Sequence, residues 1–265
     1  MVFLIILAII ILLLIYSVLP SYRKHPELND LNGKFIAHRG FHNIEKGTPE
    51  NSISALVEAS ARGYIIENDI WLTADGEVVV FHDATLTRMC GVNKKIADLT
   101  LAEIKQYRLL DTNEKIPTLK EFLGAVDGKV PILIEFKAIG ANPKSLCEKA
   151  DAILREYKGK YYIQSFNPLV LFWYRRYNKS VLRGQLAMVP KDKKIISHIA
   201  SNFFMNFLAK PDFVSFDQAF PNRWSFKVQK LLGAYPIAWT YKNQEALDKT
   251  KNVFKAYIFE NFTPK

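Results

Sequence analysis

The chain has 265 residues, 49% of them hydrophobic, and a formal net charge of +10 at pH 7. This allows one large or two small domains with a sizeable core, and the lack of low-complexity tracts and internal repeats excludes repeat architectures. The charge fits an anionic partner such as a phosphate compound or a lipid head group. Nucleic acid is the weakest choice because no zinc-finger, RNP-like or basic-heptad motif accompanies the charge. The two cysteines, Cys90 and Cys147, have no metal-binding or redox spacing, which indicates a reduced compartment or no structural disulfide.

The first segment, Val2–Leu19, is an apolar run without a charged residue, VFLIILAIIILLLIYSVL. As a helix rising 1.5 Å per residue, it can just cross a hydrocarbon core of roughly 30 Å. A cleaved signal peptide is the rival interpretation, but no Lys or Arg precedes the run and no small-x-small cleavage site follows it. The sequence therefore predicts a transmembrane anchor over residues 1–20, a linker over 21–33 and a soluble domain over 34–265.

Three basic residues follow the run, at Arg23, Lys24 and Lys34. By the positive-inside rule they favour a single-pass protein of the cell membrane with its C-terminal domain on the cytoplasmic side.

From Phe35 onward, short β-branched or aromatic runs alternate with helical patterns. The predicted strands are Phe35–Ala37, Ile65–Asp69, Ile132–Phe136, Tyr161–Ile163, Leu182–Ala187, Phe213–Phe216, Pro236–Trp239 and Ala256–Phe259. The predicted helices include Ser52–Arg62, Leu119–Val126, Pro143–Tyr157, Leu169–Tyr177 and Gln244–Thr250. Eight such strand–helix units predict an α/β fold, a (β/α)₈ TIM barrel. An open doubly wound sheet is the alternative, but it needs a Gly-rich phosphate loop after the first strand, which here continues as AHRGFHN.

The residues at the ends of the predicted strands are mostly charged or polar, with two aromatic residues among them. In a TIM barrel, functional residues lie at these carboxyl ends. The residues in question are His38, Arg39, Glu67, Asp69, Glu135, Lys137, Gln164, Ser165, Phe166, Trp239 and Thr240. The sequence therefore predicts one functional rim.

Asp75-Gly76, between two apolar runs, is typical of a two-residue hairpin turn. That turn pairs Ala74 with Glu77 and, further along, Asp69 with His82. Residues directly opposite each other have Cβ atoms roughly 4.5–5.5 Å apart, so we expect an imidazole beside a carboxylate.

Three carboxylates belong to this predicted rim. Glu67 and Asp69, two residues apart on one strand, point the same way, and Glu135 ends the next barrel strand. A solvated strand face could explain one such pair, but it is less plausible beside Ile65, Ile66 and Ile70. Since close carboxylates repel unless a cation lies between them, the three are candidate ligands for Mg²⁺ or Ca²⁺.

His38 and His82 lie at the same rim. A lone histidine is more often a hydrogen-bonded core residue, but two beside a metal set suit acid–base catalysis on an anionic ester. Arg39 can hold phosphate oxygens in a bidentate manner. Lys137 adds positive charge, and an internal Glu135–Lys137 ion pair is the alternative explanation for its position. Asp83 is expected to orient a neighbour or cap a helix rather than to catalyse.

Several blocks in register carry a resemblance to a known family: AHRGFHN, TPENSISAL, IIENDIWLTADGEVVVFHDATLTR, IPTLKEFL, ILIEFK, IQSFNPLVL and IAWT. Over about residues 35–239 the chain resembles the glycerophosphodiester phosphodiesterase family. The resemblance implies a TIM barrel, a divalent cation, and hydrolysis of glycerophosphodiesters to glycerol 3-phosphate and an alcohol.

Carried over residue by residue, the resemblance makes His38 and His82 the acid–base pair and Arg39 and Lys137 the phosphate-binding residues. It makes Glu67, Asp69 and Glu135 the metal ligands, and it assigns Glu50 and Asn51 to supporting the loop of His38. The nucleophile is either water or the neighbouring glycerol hydroxyl, which would give a cyclic phosphate first.

The chain departs from the family pattern at two places. The family usually ends its last strand with Thr-Asp before a proline, whereas this chain has YIFENFTPK. After the tryptophan, the family often has a small apolar residue and Asn, whereas this chain has Tyr241, Lys242 and Asn243. Both departures are expected where the glycerol or the alcohol lies.

Trp239 is expected to be an apolar wall for the glycerol carbons, with a residue of the barrel core as the alternative. Two alternative functions remain open. One is a lysophospholipase D acting on membrane lysophospholipids, which the apolar Ser201–Leu208 segment favours unless that segment packs on the barrel. The other is a non-catalytic binder of phospholipid head groups on the same fold.

Overall fold

The computed structural model describes residues 1–23, 25–138, 142–190 and 195–265. Lys24, one of the three basic residues that follow the apolar run, lies outside the described residues.

The described residues form a closed barrel of eight parallel strands, with one further antiparallel strand paired to the second. The strands are β1 (Phe35–Ala37), β2 (Ile65–Leu72), β3 (Val78–Val80), β4 (Ile132–Phe136), β5 (Tyr161–Ser165), β6 (Arg183–Ala187), β7 (Phe213–Asp217), β8 (Tyr235–Tyr241) and β9 (Ala256–Phe259). The order around the barrel is β1-β9-β8-β7-β6-β5-β4-β2, and β1 pairs with β2 to close it. The predicted TIM barrel is confirmed.

The helices of the described residues lie between the barrel strands, apart from the N-terminal one. They are α1 (Val2–Val18), α2 (Ile53–Ala61), α3 (Thr87–Cys90), α4 (Leu101–Ile104), α5 (Leu119–Val126), α6 (Lys144–Glu156), α7 (Pro168–Tyr177), α8 (Ile195–Ser201), α9 (Asn206–Ala209), α10 (Trp224–Leu231) and α11 (Gln244–Thr250). Side-chain caps mark the start of several of these helices. Thr118 and Glu121 form a capping box at α5, and Asn167 caps α7 just before Pro168.

The barrel interior changes in character from one end to the other. Its amino-terminal half is filled by an apolar cluster that includes Ile36, Leu133 and Phe213. Above this layer the inward-facing positions are polar, and Glu67, Glu135 and Gln164 are buried there. The apolar layer closes the lower end, so polar groups can reach a substrate only from the carboxyl-terminal end of the strands.

The predicted hairpin register is wrong by one residue. Trp71 pairs with Val79, so opposed residue numbers sum to 150 rather than 151. The loop holds three residues, because Thr73 N–H bonds to Glu77 O at 2.9 Å and the Thr73 hydroxyl accepts from Glu77 N–H at 2.9 Å. Gly76, with φ of +80°, takes the left-handed position that such loops favour.

As a consequence, His82 is not opposite Asp69. The Asp69 carbonyl accepts instead from Phe81 N–H at 2.9 Å. β3 ends at Val80, and His82 reaches the rim from the chain that follows it.

The predicted transmembrane anchor is not supported. α1 has 17 residues and ends at Val18, a length of about 26 Å at 1.5 Å per residue. The helix ends here because Leu19 precedes Pro20, and residues before proline favour the extended conformation that Leu19 adopts. Within the described part of the chain, no helix has the length and apolarity that a membrane span requires.

The segment predicted as a linker packs against the barrel. A 3₁₀ helix spans Pro26–Leu31, and its Leu31 is buried in the interior apolar cluster. Arg23 is ion-paired with Asp212 at 2.9 Å, just before β7. The segment therefore covers the amino-terminal end of the barrel, opposite the rim where the candidate site lies.

Candidate active site

Three buried carboxylates meet at the upper end of the barrel. Glu67 and Asp69 lie on β2 and Glu135 on β4, with Asp69 and Glu135 paired in register. One oxygen of each lies within 4.8 Å of the others. The parallel pairing of two neighbouring strands brings together residues that are more than sixty positions apart in sequence.

The pKa values of these carboxyls are pushed apart. Burial, together with the charges of Asp69 and Glu135, raises the pKa of Glu67 well above its usual range. Burial also raises the pKa of Glu135 to about 7, helped by Asp69 and opposed by Lys137. Burial would raise the pKa of Asp69 too, but Lys137 and Arg39 hold it below its usual range. Further positive charge is therefore needed to keep all three ionised at neutral pH.

This donor set fits a hard divalent cation. Buried carboxylate oxygens are the ligands that Mg²⁺ and Ca²⁺ use, and their spacing lets them converge on one ion. Glu67, Asp69 and Glu135 are therefore the residues that could hold such an ion.

Two cations border the carboxylates. Lys137 Nζ lies 2.5 Å from Glu135 Oε1 and 3.0 Å from Asp69 Oδ1. Arg39 Nε lies 3.5 Å from Asp69 Oδ2, while its Nη1 donates to Glu50 at 2.7 Å. Both side chains are about 15% exposed, so neither is fully enclosed.

Neutral polar side chains hold the carboxylates in place from behind. Asn51 Nδ2 donates to Asp69 Oδ2 at 2.9 Å, and the Asn51 backbone N–H donates to Arg39 O. Gln164 Nε2 donates to Glu67 Oε1 at 3.4 Å, and Gln164 Oε1 accepts in turn from the hydroxyl of Ser215 at 2.8 Å. These contacts fix the carboxylate orientations.

His38 follows β1 directly. Its Nδ1 lies 2.5 Å from Glu260 Oε2, and its Nε2 lies 4.0 Å from Glu67 Oε2. Burial lowers the pKa of His38, helped by Arg39 and opposed by the hydrogen bond to Glu260. Burial of the ring therefore favours the neutral imidazole, the form that can accept a proton.

His82 has a similar arrangement on the other arm of the rim. Its Nδ1 lies 2.6 Å from Asp83 Oδ1, and Arg88 Nε donates to Asp83 Oδ2 at 2.7 Å. Burial lowers its pKa, opposed by the charge of Asp69. Asp83 therefore contacts both His82 and Arg88, and the orienting role expected for it stays a prediction.

Trp239 lies on β8 and is half-buried, packed against the interior apolar cluster. Its ring contacts Phe166 edge-on at a centroid distance of 5.7 Å. The indole Nε1 is buried, and within the described residues it has no hydrogen-bond partner. Trp239 is thus partly exposed and also in contact with the interior cluster, so its position fits both the apolar wall and the core residue that the sequence left open.

We predict that Trp239→Ala raises KM about tenfold or more and lowers unfolding stability by less than the roughly 3–5 kcal/mol typical of a fully buried aromatic. Substrate saturation and thermal melting on the same preparation test this. Trp224→Ala, on the exposed α10 surface, is the matched control. A large stability loss with unchanged kinetics would show that Trp239 is a core residue.

Sequence reasoning missed Glu260, Arg88 and Ser215. Glu260 directly follows β9, so the rule that functional residues lie at strand ends could have identified it. Arg88 and Ser215 had no comparable signal, because their roles depend on contacts with Asp83 and Gln164.

Of residues 241–243, which the sequence placed near the glycerol or the alcohol, Lys242 is exposed and pairs with Glu260 at 2.9 Å. Tyr241 is buried, and its hydroxyl bonds to Thr250 on α11. Asn243 caps α11 by accepting from Ala246 N–H.

The fold and the site together define a TIM-barrel protein with a carboxylate cluster, two carboxylate-paired histidines and two bordering cations at one rim. The glycerophosphoryl diester phosphodiesterase family model matches residues 38–259, and the chain belongs to this family.

Curated relatives agree with this placement. A glycerophosphodiester phosphodiesterase from Caldanaerobacter subterraneus subsp. tengcongensis is 36% identical over 142 residues, covering 50% of this chain and 57% of the relative. A rat protein named lysophospholipase D GDPD1 is 32% identical over 162 residues, covering 56% and 48%. The chain spans about half the length of the curated relatives it matches.

Solved structures agree at the level of the fold. An Oleispira antarctica phosphodiesterase, solved with the product sn-glycerol-3-phosphate, superimposes with a TM-score of 0.73 at 22% identity, covering 88% of this chain and 94% of that one. A Thermotoga maritima glycerophosphodiester phosphodiesterase gives a TM-score of 0.63 at 26% identity, covering 85% and 93%.

Proposed function

We propose that this chain hydrolyses glycerophosphodiesters to glycerol 3-phosphate and an alcohol. The observation that carries the proposal is the convergence of His38, His82 and the carboxylates Glu67, Asp69 and Glu135 at one rim. A non-catalytic head-group binder has no need of two histidines that are each held by a carboxylate at Nδ1.

In this mechanism, Arg39 and Lys137 bind the phosphate oxygens and offset the charge that develops on them. One histidine accepts the proton of the nucleophile, and the other donates a proton to the departing alkoxide. Trp239 holds the glycerol carbons. A divalent cation, Mg²⁺ or Ca²⁺, would be held by Glu67, Asp69 and Glu135 and would supply Lewis-acid polarisation of the phosphate.

Product analysis tests the proposed activity. The full chain is incubated with glycerophosphocholine, with and without Mg²⁺ or Ca²⁺, and the phosphorus-containing products are followed over time. Glycerol 3-phosphate and choline are the expected products. An early cyclic glycerophosphate would identify the glycerol hydroxyl as the nucleophile, and the absence of any cleavage would refute the proposal.

Lysophospholipids are a second candidate substrate. A cavity of about 840 Å³ beside the mouth is lined by Phe166, Leu186, Ile196 and Met205, among others. However, Phe203 and Asn206 of the segment that suggested this activity are buried in the barrel wall. Water-soluble diesters are therefore favoured, and lysophosphatidylcholine assayed beside glycerophosphocholine gives the direct comparison.

For α1 we propose contact with lipid, with the barrel on the cytoplasmic side. Its side chains from Val2 to Leu7 are more than 40% exposed and apolar, whereas Val18 is buried against the barrel. We predict that the full chain co-sediments with anionic phospholipid vesicles and that Ile6→Asp with Ile10→Asp reduces binding at least tenfold. Leu231→Asp, exposed on α10, is the control. Equal binding by all three proteins would rule out lipid contact through α1.

A further inference from the structure

The two departures from the family pattern meet in space. Glu260, in the altered segment after β9, lies with one carboxylate oxygen 2.5 Å from His38 Nδ1. Lys242, in the altered segment after Trp239, contacts the other oxygen of Glu260 at 2.9 Å. We propose that Glu260 is the positioning residue for His38 in this chain, and that Lys242 holds Glu260 in place. The proposal rests on the proposed phosphodiesterase function.

The backbone makes this arrangement rigid. Glu260 N–H donates to Tyr241 O at 2.9 Å, and His38 N–H donates to Phe259 O at 2.9 Å. Phe259, the last residue of β9, therefore holds the backbone of His38, and Glu260, the residue that follows it, holds the side chain. With Nδ1 held on this side, Nε2 is directed toward Glu67, 4.0 Å away.

The charge state of Glu260 sets the position of the His38 proton. Burial would raise the pKa of Glu260, but His38 and Lys242 hold it well below its usual range. An ionised carboxylate only accepts hydrogen bonds, so Nδ1 of His38 carries a proton, and in the neutral imidazole it is the only protonated nitrogen. This leaves the Nε2 lone pair free on the side where the substrate binds.

His82 supplies an independent parallel. Its Nδ1 also bonds to a carboxylate, that of Asp83, and a cation, Arg88, contacts the second oxygen of that carboxylate. Both histidines thus have the same order of imidazole, carboxylate and cation. The Lys242 side chain is 66% exposed and that of Glu260 only 11%, so we expect Lys242 to contribute less than Glu260.

The test uses Glu260→Gln, Lys242→Ala and the double variant in the full chain. We expect Glu260→Gln to lower kcat about 10–100-fold, as for other residues that orient a functional histidine, with KM changed less than threefold. Lys242→Ala should lower kcat a few-fold, and this effect should vanish in the Glu260→Gln background because Lys242 acts through Glu260. Glu245→Gln and Lys249→Ala remove an exposed pair on α11 and are matched controls.

A second readout needs no turnover. Nitrogen NMR of the His38 imidazole should show the proton on Nδ1 in the unaltered chain and a mixed or reversed tautomer in Glu260→Gln. An unaltered chain without phosphodiesterase activity would refute the proposed function, while the tautomer would still decide the positioning role.

Three results would overturn the proposal. They are an unchanged kcat in Glu260→Gln, an unchanged His38 tautomer in Glu260→Gln, or an effect of Lys242→Ala on kcat that is equal in the unaltered chain and in the Glu260→Gln background. Melting curves identify a variant that fails to fold. If Glu260→Gln fails to fold, the test uses Lys242→Ala instead. An unchanged kcat together with an unchanged His38 tautomer in Lys242→Ala would then refute the proposal.

Discussion

Replacing His82 with alanine is expected to lower kcat by roughly 10²–10⁴-fold, the usual contribution of a positioned acid or base. The fold should survive, because the contacts around this position do not depend on the imidazole. The Trp71 indole donates to the backbone carbonyl of His82, and Asp83 keeps its bond to Arg88.

Turnover of glycerophosphocholine and thermal melting of the same preparation measure this effect. His198→Ala, which removes an exposed histidine on α8, is the control and should match the unaltered chain. Near-normal turnover by His82→Ala would remove this residue from the proposed chemistry.

The same variant, compared with His38→Ala, assigns the two proton-transfer roles. A p-nitrophenyl diester of glycerol phosphate has a leaving group that departs without protonation. The variant that lacks the general acid should recover most of its turnover on this substrate, and the variant that lacks the base should not. Equal recovery by both variants would argue against separate acid and base roles.

Removal of divalent cations is expected to lower activity by about 10³-fold or more, because Lewis-acid stabilisation is worth several kcal/mol. The chain is treated with a chelator, exchanged into metal-free buffer, and assayed before and after addition of Mg²⁺ or Ca²⁺ alone. Full activity after exhaustive chelation would contradict the assignment of Glu67, Asp69 and Glu135 as ligands.

Calorimetric titration of each ion into the metal-free chain gives a readout independent of activity. We expect one site per chain, with affinity lowered at least tenfold in Glu67→Gln, which removes one ionised ligand. Glu245→Gln, on the exposed surface of α11, should bind as the unaltered chain does. Identical binding by both variants would place the ion elsewhere.

Much of the fold follows from the sequence alone. The alternation of apolar strands with helical patterns predicted eight parallel strands because each strand must be covered on its outer face by a helix. The gathering of Glu67, Asp69 and Glu135 also followed from sequence, since the carboxyl ends of parallel strands meet at one rim. These inferences depend on local periodicity and on a general property of the barrel.

Other features were decided only by the tertiary structure. The hairpin register depends on Thr73, because the bonds of its hydroxyl and backbone to Glu77 enlarge the loop to three residues. This shift moves His82 away from the position opposite Asp69. The partners of the histidines depended on contacts between distant segments, such as Glu260 with His38. The ionisation of each carboxyl depended on burial and on neighbouring charges, as in the opposite pKa shifts of Glu67 and Asp69. Sequence periodicity determines which residues face the interior, but hydrogen bonds and charges that span the barrel determine what those residues can do.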